Sequence, residues 1–191
     1  ILKEIINANY IPVGVLLPRS RMIKELDDNK ERKKYLNKLH MHCKKNKVEF
    51  VKFTESIKLL SKKNNIPVFT KKSLKTNEAY EWISSLELDL IVLGGGWPEL
   101  LPLNIIEAPM IGCINTHPSL LPEFRGTDIV RWQVFNNVKK TGVTIHYIDE
   151  NFDTGQILGQ VEMKVCGTET PQLIATKLAK ISGNLMISVL D

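Results

Sequence analysis

Asn115 and His117 stand two positions apart in "CINTHPSLLPEFRG" (113–126), with Pro118 directly after the histidine. In extended backbone, residues two apart project from the same face, and the proline disfavours helical geometry at His117. One amide and one imidazole would then point at one spot. Such a donor pair suits an oxygen that gains negative charge, as in acyl transfer through a tetrahedral intermediate. Taken alone, the same two residues equally describe a turn asparagine beside a packed histidine, because such sites are defined by geometry.

A second chemical group lies in "DENFDTG" (149–155), where Asp153 precedes Thr154 and Gly155. Aspartate is common at turns for structural reasons. The position therefore reads either as a turn former or as a carboxylate that pairs with His117, holds it in its charged form and relays protons. A parallel sheet with both motifs at strand ends would bring 117 and 153 together. Other stretches carry less. "GGGW" (94–97) lacks the Gly-x-Gly-x-x-Gly spacing and the Lys-Ser/Thr pair of a phosphate loop, although its glycines suit close approach to a flat ligand. "HMHC" (40–43) has no second ligand cluster, so no metal site is expected. His146 alternates along a strand beside Tyr147 and reads as packing as readily as chemistry.

The elements that must position these groups follow from apolar patterning. Strand-like runs at 11–17, 66–70, 88–95 and 110–115 alternate with helical patterns near 54–63 and 77–86. Most of these runs are almost continuously apolar, as strands covered on both faces must be. The alternation predicts an α/β fold with a largely parallel sheet flanked by helices, its site along the strands' carboxyl ends. Beyond Gly126, "TDIVRWQVFNN" has helical spacing, and 142–149 with 155–165 form two adjacent strands around a turn. Thr170 before Pro171 is a helix start, with Leu173, Leu178, Ile181, Leu185 and Val189 as its expected buried stripe. Residues 1–191 read as a single domain. Its opening, "ILKEIINANY", is a short helix running into a strand, like the second half of a βαβ unit whose first strand is missing at the amino end.

Composition bounds the function classes. The chain has 191 residues, 43% apolar and 25% charged, ordinary for a soluble globular domain; no stretch reads as a membrane span. Cys43, Cys113 and Cys166 are odd in number and far apart, which points to reduced thiols and a cytoplasmic setting. Net charge is +5, concentrated between residues 19 and 47, where eleven Lys or Arg oppose four acids. A segment of that kind suits a polyanion such as nucleic acid, or is a solvated charged face.

Taken together, "NTHPSLLPEFRG" and, some twenty residues later, "TGVTIHYIDENFDTGQIL" resemble the folate-dependent formyltransferase family, closely over residues 66–190 and loosely before. The resemblance implies a Rossmann-like catalytic domain that moves a formyl group from 10-formyltetrahydrofolate to a primary amine without a metal. It implies Asn115, His117 and Asp153 as catalytic residues. It places the folate between Gly94, Gly95, Gly96, Trp97 and Leu100 on one side and Asp149, Glu150 and Asn151 on the other. Ser119, Leu120, Leu121 and Pro122 would shape the junction of donor and acceptor, with Arg125 and Gly126 beside them as substrate-binding positions.

Several details resemble the methionyl-tRNA branch, including "IPVFTKKSLK", "GCIN", Arg125-Gly126 and a basic insertion at 19–47 suited to phosphate contacts. In that branch a carboxy-terminal β-barrel domain would follow residue 191. His146, by contrast, resembles the nucleotide-sugar and glycinamide ribonucleotide branches. The acceptor expectation is therefore methionyl-tRNA, with an amino-sugar nucleotide or glycinamide ribonucleotide as alternatives. A formyltetrahydrofolate hydrolase and a non-catalytic RNA binder stand behind these.

Overall fold

The computed structural model describes residues 1–10, 12–18, 41, 57–94, 97 and 99–191. The basic segment 19–47 (Met41 apart), the metal-like His40, His42 and Cys43, and Gly95 and Gly96 lie outside the described residues. The chain divides into two compact units, Pro12–Lys72 and Ile1–Ile11 with Ser73–Asp191.

In the first unit, β1 (Val15–Pro18) pairs in parallel with β2 (Val68–Lys71), Val15 opposite Val68. Helix α2 (Ile57–Lys63) precedes β2. It ends where Asn65 takes a left-handed backbone (φ 56°) and Ile66 N–H returns to the Ser61 carbonyl at 2.9 Å, a stop that asparagine tolerates better than most residues.

The second unit opens with α1 (Leu2–Asn7) and continues through α3 (Asn77–Ser84), β3 (Leu90–Leu93), α4 (Leu103–Ile106), β4 (Gly112–His117), α5 (Ile129–Phe135), β5 (Lys140–Tyr147), β6 (Ile157–Lys164) and α6 (Pro171–Leu190). The sheet order is β3-β4-β5-β6. β3 and β4 are parallel, while β4–β5 and β5–β6 are antiparallel. The α/β fold with parallel pairs is as expected, and the carboxyl half adds an antiparallel meander. The antiparallel β5–β6 pairing follows from their short connection, since a parallel return needs a crossover of a dozen or more residues.

β4 and β5 are the buried centre of this sheet. Ile114 and Ile145 pack with Ile5 of α1 and Met186 of α6, and Val143 packs with Ile174 and Leu178. Thr170 caps α6 as expected, accepting the Leu173 N–H at 3.3 Å, and Pro171 occupies the first turn. The buried face of α6 differs from the expected stripe. Ile174, Leu178, Ser182, Gly183 and Met186 are buried, whereas Leu173, Ile181, Leu185 and Val189 are only half-buried. The helix is apolar on most sides, so periodicity alone does not choose its face. The choice is made by the sheet and by α1, which comes so close that a Cβ at Gly183 would lie 2.7 Å from Glu4 Cγ.

The same apolar character corrects the expectation that no stretch reaches a membrane span. By length and composition α6 does, with a mean hydropathy of 1.4, although its buried line lies against β5 and β6.

Candidate active site

Strand pairing assembles the site before any side chain is considered. In the β4–β5 ladder Asn115 lies opposite His146 and His117 opposite Thr144. Directly opposed residues share a face, and so do residues two apart. Asn115, His117, Thr144 and His146 therefore project from one side of the sheet. They line, except for Thr144, a cleft of about 370 Å³, within the size range of small-molecule sites, roughly 300–1,000 Å³.

Asp153 reaches the same cleft from the β5–β6 connection. Its backbone is left-handed (φ 52°), a conformation that aspartate accepts more readily than most residues. The carboxylate is shared out oxygen by oxygen. Oδ2 accepts the Gly126 N–H at 2.8 Å and lies 3.5 Å from His117 Nδ1, while Oδ1 lies 3.5 Å from His146 Nε2. Burial alone would raise its pKa. The hydrogen bonds from the His146 ring and from Gly126 N–H, with the charge of the two imidazoles, outweigh burial and hold it below the ordinary aspartate value.

His117 is 3% exposed, and its Nε2 donates to the Phe124 carbonyl at 2.8 Å. Both of its nitrogens thus face acceptors, an arrangement that suits a doubly protonated ring. Burial works in the opposite direction and prevails, so the His117 pKa lies below the ordinary histidine value despite the Phe124 carbonyl and Asp153. Asp153, at 3.5 Å, favours the charged ring as expected, but removal from water costs the imidazolium more than that carboxylate returns.

Among the residues expected to meet the folate, Trp97, Leu100 and Asn151 line the cleft. Gly94, Asp149 and Glu150 are not on its wall. Asp149 is occupied within its own loop, accepting from Thr154 Oγ1 at 2.6 Å and from Asn151 N–H at 3.0 Å. Among the expected substrate-binding residues, only Gly126 is on the wall. Arg125 and Pro122 are exposed, and Ser119 to Leu121 form a pinned turn. Ser119 Oγ donates to the Glu123 carbonyl at 2.6 Å. Thr144 Oγ1 donates to the Ser119 carbonyl at 2.7 Å and accepts Leu121 N–H at 3.1 Å. Gln160 Nε2 donates to both Thr144 Oγ1 and the Leu121 carbonyl at 2.8 Å. This turn fixes the backbone that follows His117.

Sequence reasoning missed several wall residues, Leu93, Asp128, Ile129, Val130 and Ile148, while Glu99 and Phe152 fall in the two loops expected to flank the folate. Glu99 had no local motif to mark it; its carboxylate is clamped by Leu74 N–H at 2.7 Å and Ser73 Oγ at 2.9 Å. His146 was open between packing and chemistry. Its alternation placed it on one face of β5, but only the register with Asn115 shows which face that is.

Residues 20–190 match the family described as formyl transferase. The chain is similar to methionyl-tRNA formyltransferase of Bacillus cytotoxicus, 38% identical over 130 residues, which are 68% of this chain and 41% of that protein. It thus spans less than half the length of the curated relatives it matches. Among solved structures it is similar to phosphoribosylglycinamide formyltransferase from Bacillus halodurans, 28% identical with a TM-score of 0.63, covering 82% of this chain and 88% of that one. A formyltetrahydrofolate deformylase from Pseudomonas syringae pv. tomato shares the fold at 23% identity and a TM-score of 0.61, covering 70% of this chain and 47% of that one.

Proposed function

The chain belongs to the formyl transferase family, and from that premise we propose that it moves a formyl group from 10-formyltetrahydrofolate to a primary amine, with methionyl-tRNA as the acceptor. The observation that supports the chemistry is the convergence of Asn115, His117 and Asp153 on one cleft. The acceptor reading draws on the 38% identity to methionyl-tRNA formyltransferases and on the basic segment 19–47, which would meet phosphates. Glycinamide ribonucleotide is the second reading, favoured by the likeness that covers 88% of a phosphoribosylglycinamide formyltransferase. The free thiols of Cys113 and Cys166 support a cytoplasmic setting for the reaction.

The steps follow from the residues. An uncharged amine attacks the formyl carbon, a C–N bond forms, and the formyl oxygen takes the negative charge. Donors from Asn115 and His117 stabilise that oxygen. The same anion offsets the burial that lowers the His117 pKa and so favours the protonated ring as the oxyanion develops. Asp153, ionised well below neutral pH, takes the proton from the attacking nitrogen and, with water, passes it to the departing folate nitrogen as the old C–N bond breaks. The folate ring lies against Trp97, Leu100 and Asn151.

The purified protein, given 10-formyltetrahydrofolate with methionyl-tRNA, an amino-sugar nucleotide or glycinamide ribonucleotide in separate reactions, should release tetrahydrofolate with methionyl-tRNA. Asn115→Ala should slow that release by about 10²- to 10³-fold, as loss of an oxyanion donor does. Release with no amine present would make the protein a hydrolase, and no release under any condition would end the reading.

A further inference from the structure

α5 presents two large aromatic side chains to solvent. Trp132 is 56% exposed and Phe135 81% exposed, and their rings meet edge to face, centroids 5.9 Å apart and planes at 85°. Ile129 and Gln133, on a different side of the helix, are buried. Aromatic side chains normally contribute by burial, so an adjacent pair left in water marks a surface for a ligand.

The orientation of this face is fixed from behind. Gln133 Nε2 donates to the Pro118 carbonyl at 3.0 Å, and its Oε1 accepts from Thr141 Oγ1 at 2.8 Å. The helix is thus tied both to β5 and to the residue after His117. Its amino end forms part of the cleft wall through Asp128, Ile129 and Val130. Asp128, Trp132 and Phe135 are spaced as one face of a helix, and the rise from the first to the last is about 10 Å. The aromatic pair therefore stands at a set distance from the reacting groups, on a surface that begins at the cleft.

The surrounding charge favours an anion. Between residues 125 and 140 the exposed cations Arg125, Arg131, Lys139 and Lys140 are set against one carboxylate, Asp128. The Arg131–Asp128 and Lys140–Glu162 pairs are both exposed and worth little, so a phosphate can compete for either cation. A flat ring linked to phosphate fits both features, and unpaired nucleobases stack on exposed aromatic side chains whatever their sequence.

Building on the formyl-transfer reading, we propose that Trp132 and Phe135 form a stacking platform for the unpaired terminal base of an RNA acceptor, whose aminoacyl group enters the cleft past Asp128 while Arg131 lies beside its phosphates. In an aminoacyl ester the amine is separated from the terminal base by the ester and the ribose. A base docked outside the cleft thus leaves the amine free to reach Asn115, His117 and Asp153.

The probe is a single-stranded RNA ending in ACCA, labelled with fluorescein at its other end and followed by polarisation at fixed salt. Trp132→Ala and Phe135→Ala each weaken binding about fivefold or more, the scale of a lost base stack. Trp132→Phe, which keeps a ring face, stays within about twofold of the wild type. The same RNA without its terminal base binds the wild type as weakly as the intact RNA binds Trp132→Ala, a comparison independent of how any variant folds. With that abasic probe Trp132→Ala adds less than about twofold. Equal binding of intact RNA by the wild type and Trp132→Ala, or an undiminished loss with the abasic probe, overturns the proposal.

Turnover separates the platform from the reaction. In Trp132→Ala the methionyl-tRNA KM rises about fivefold while kcat holds; an unchanged KM rejects the platform and leaves the reaction standing. A protein that binds the RNA as expected but formylates only other amines keeps the platform and rejects the acceptor. If Trp132→Ala instead loses turnover of a nucleotide sugar, or abolishes self-association seen by sedimentation, with RNA binding intact, the face belongs to that ligand or to a second copy and the proposal falls.

Discussion

Asp153 Oδ2 accepts the backbone N–H of Gly126 at 2.8 Å, so the two motifs, far apart in the chain, are locked together by a hydrogen bond that involves neither histidine. This contact sets the height of the carboxylate above the β4 face. It also separates two jobs of Asp153: holding the loop and supplying charge.

Replacing Asp153 by asparagine should divide those jobs. The amide oxygen can still accept from Gly126, and asparagine tolerates the left-handed backbone. Stability should therefore change little while formyl transfer falls by about 10²-fold or more, the scale of a lost acid–base group. Asp153→Ala removes the acceptor as well and places alanine at φ 52°, which should cost roughly 1–3 kcal/mol. Thermal melts beside a transfer assay distinguish the two variants. An asparagine variant of full activity would remove Asp153 from the chemistry.

Gly155 does a different job in the same loop. Its φ is not in the left-handed region; its constraint is space, because a Cβ there would collide with the Tyr147 carbonyl oxygen and carbon. Tyr147 N–H in turn donates to the Gln156 carbonyl at 2.8 Å, so the loop closes tightly on the end of β5. Gly155→Ala should destabilise the protein by about 1–3 kcal/mol and displace Asp153 enough to lower activity further than the melt alone explains. An unchanged melting temperature would show that the loop has slack at this point.

How much of this was legible in the sequence depended on the range of the forces involved. The shared face of Asn115 and His117 follows from the two-residue period of a strand, and β4 supplies that strand. The approach of Asp153 was expected at the carboxyl edge of a parallel sheet. It comes instead from the far end of antiparallel β5, folding back to His117, because strand direction depends on pairing rather than on local pattern. Residues 119–122 were assigned to the substrate junction, yet their partners Thr144 and Gln160 lie more than twenty residues away. Asp149 looked like a ligand and is a loop tie to Thr154. A local pattern marks such polar residues as important without showing what they hold.

The buried pair also predicts how stability responds to acid. The His117 pKa is depressed by burial, so its unfolded form, near pH 6.5, binds a proton before the folded form does. A depressed histidine contributes stability above its unfolded pKa and loses it as pH falls through the folded value. Asp153, held low by His146 and Gly126 N–H against burial, acts in the same direction but only in a more acidic range, below the ordinary aspartate value. The denaturation midpoint should therefore fall between pH 7.5 and 5.5, before carboxylates titrate. His117→Gln should flatten that part of the curve and leave the loss at lower pH in place. Equal slopes for the two proteins across the upper range would mean that water already reaches the His117 ring, and that burial does not lower its pKa.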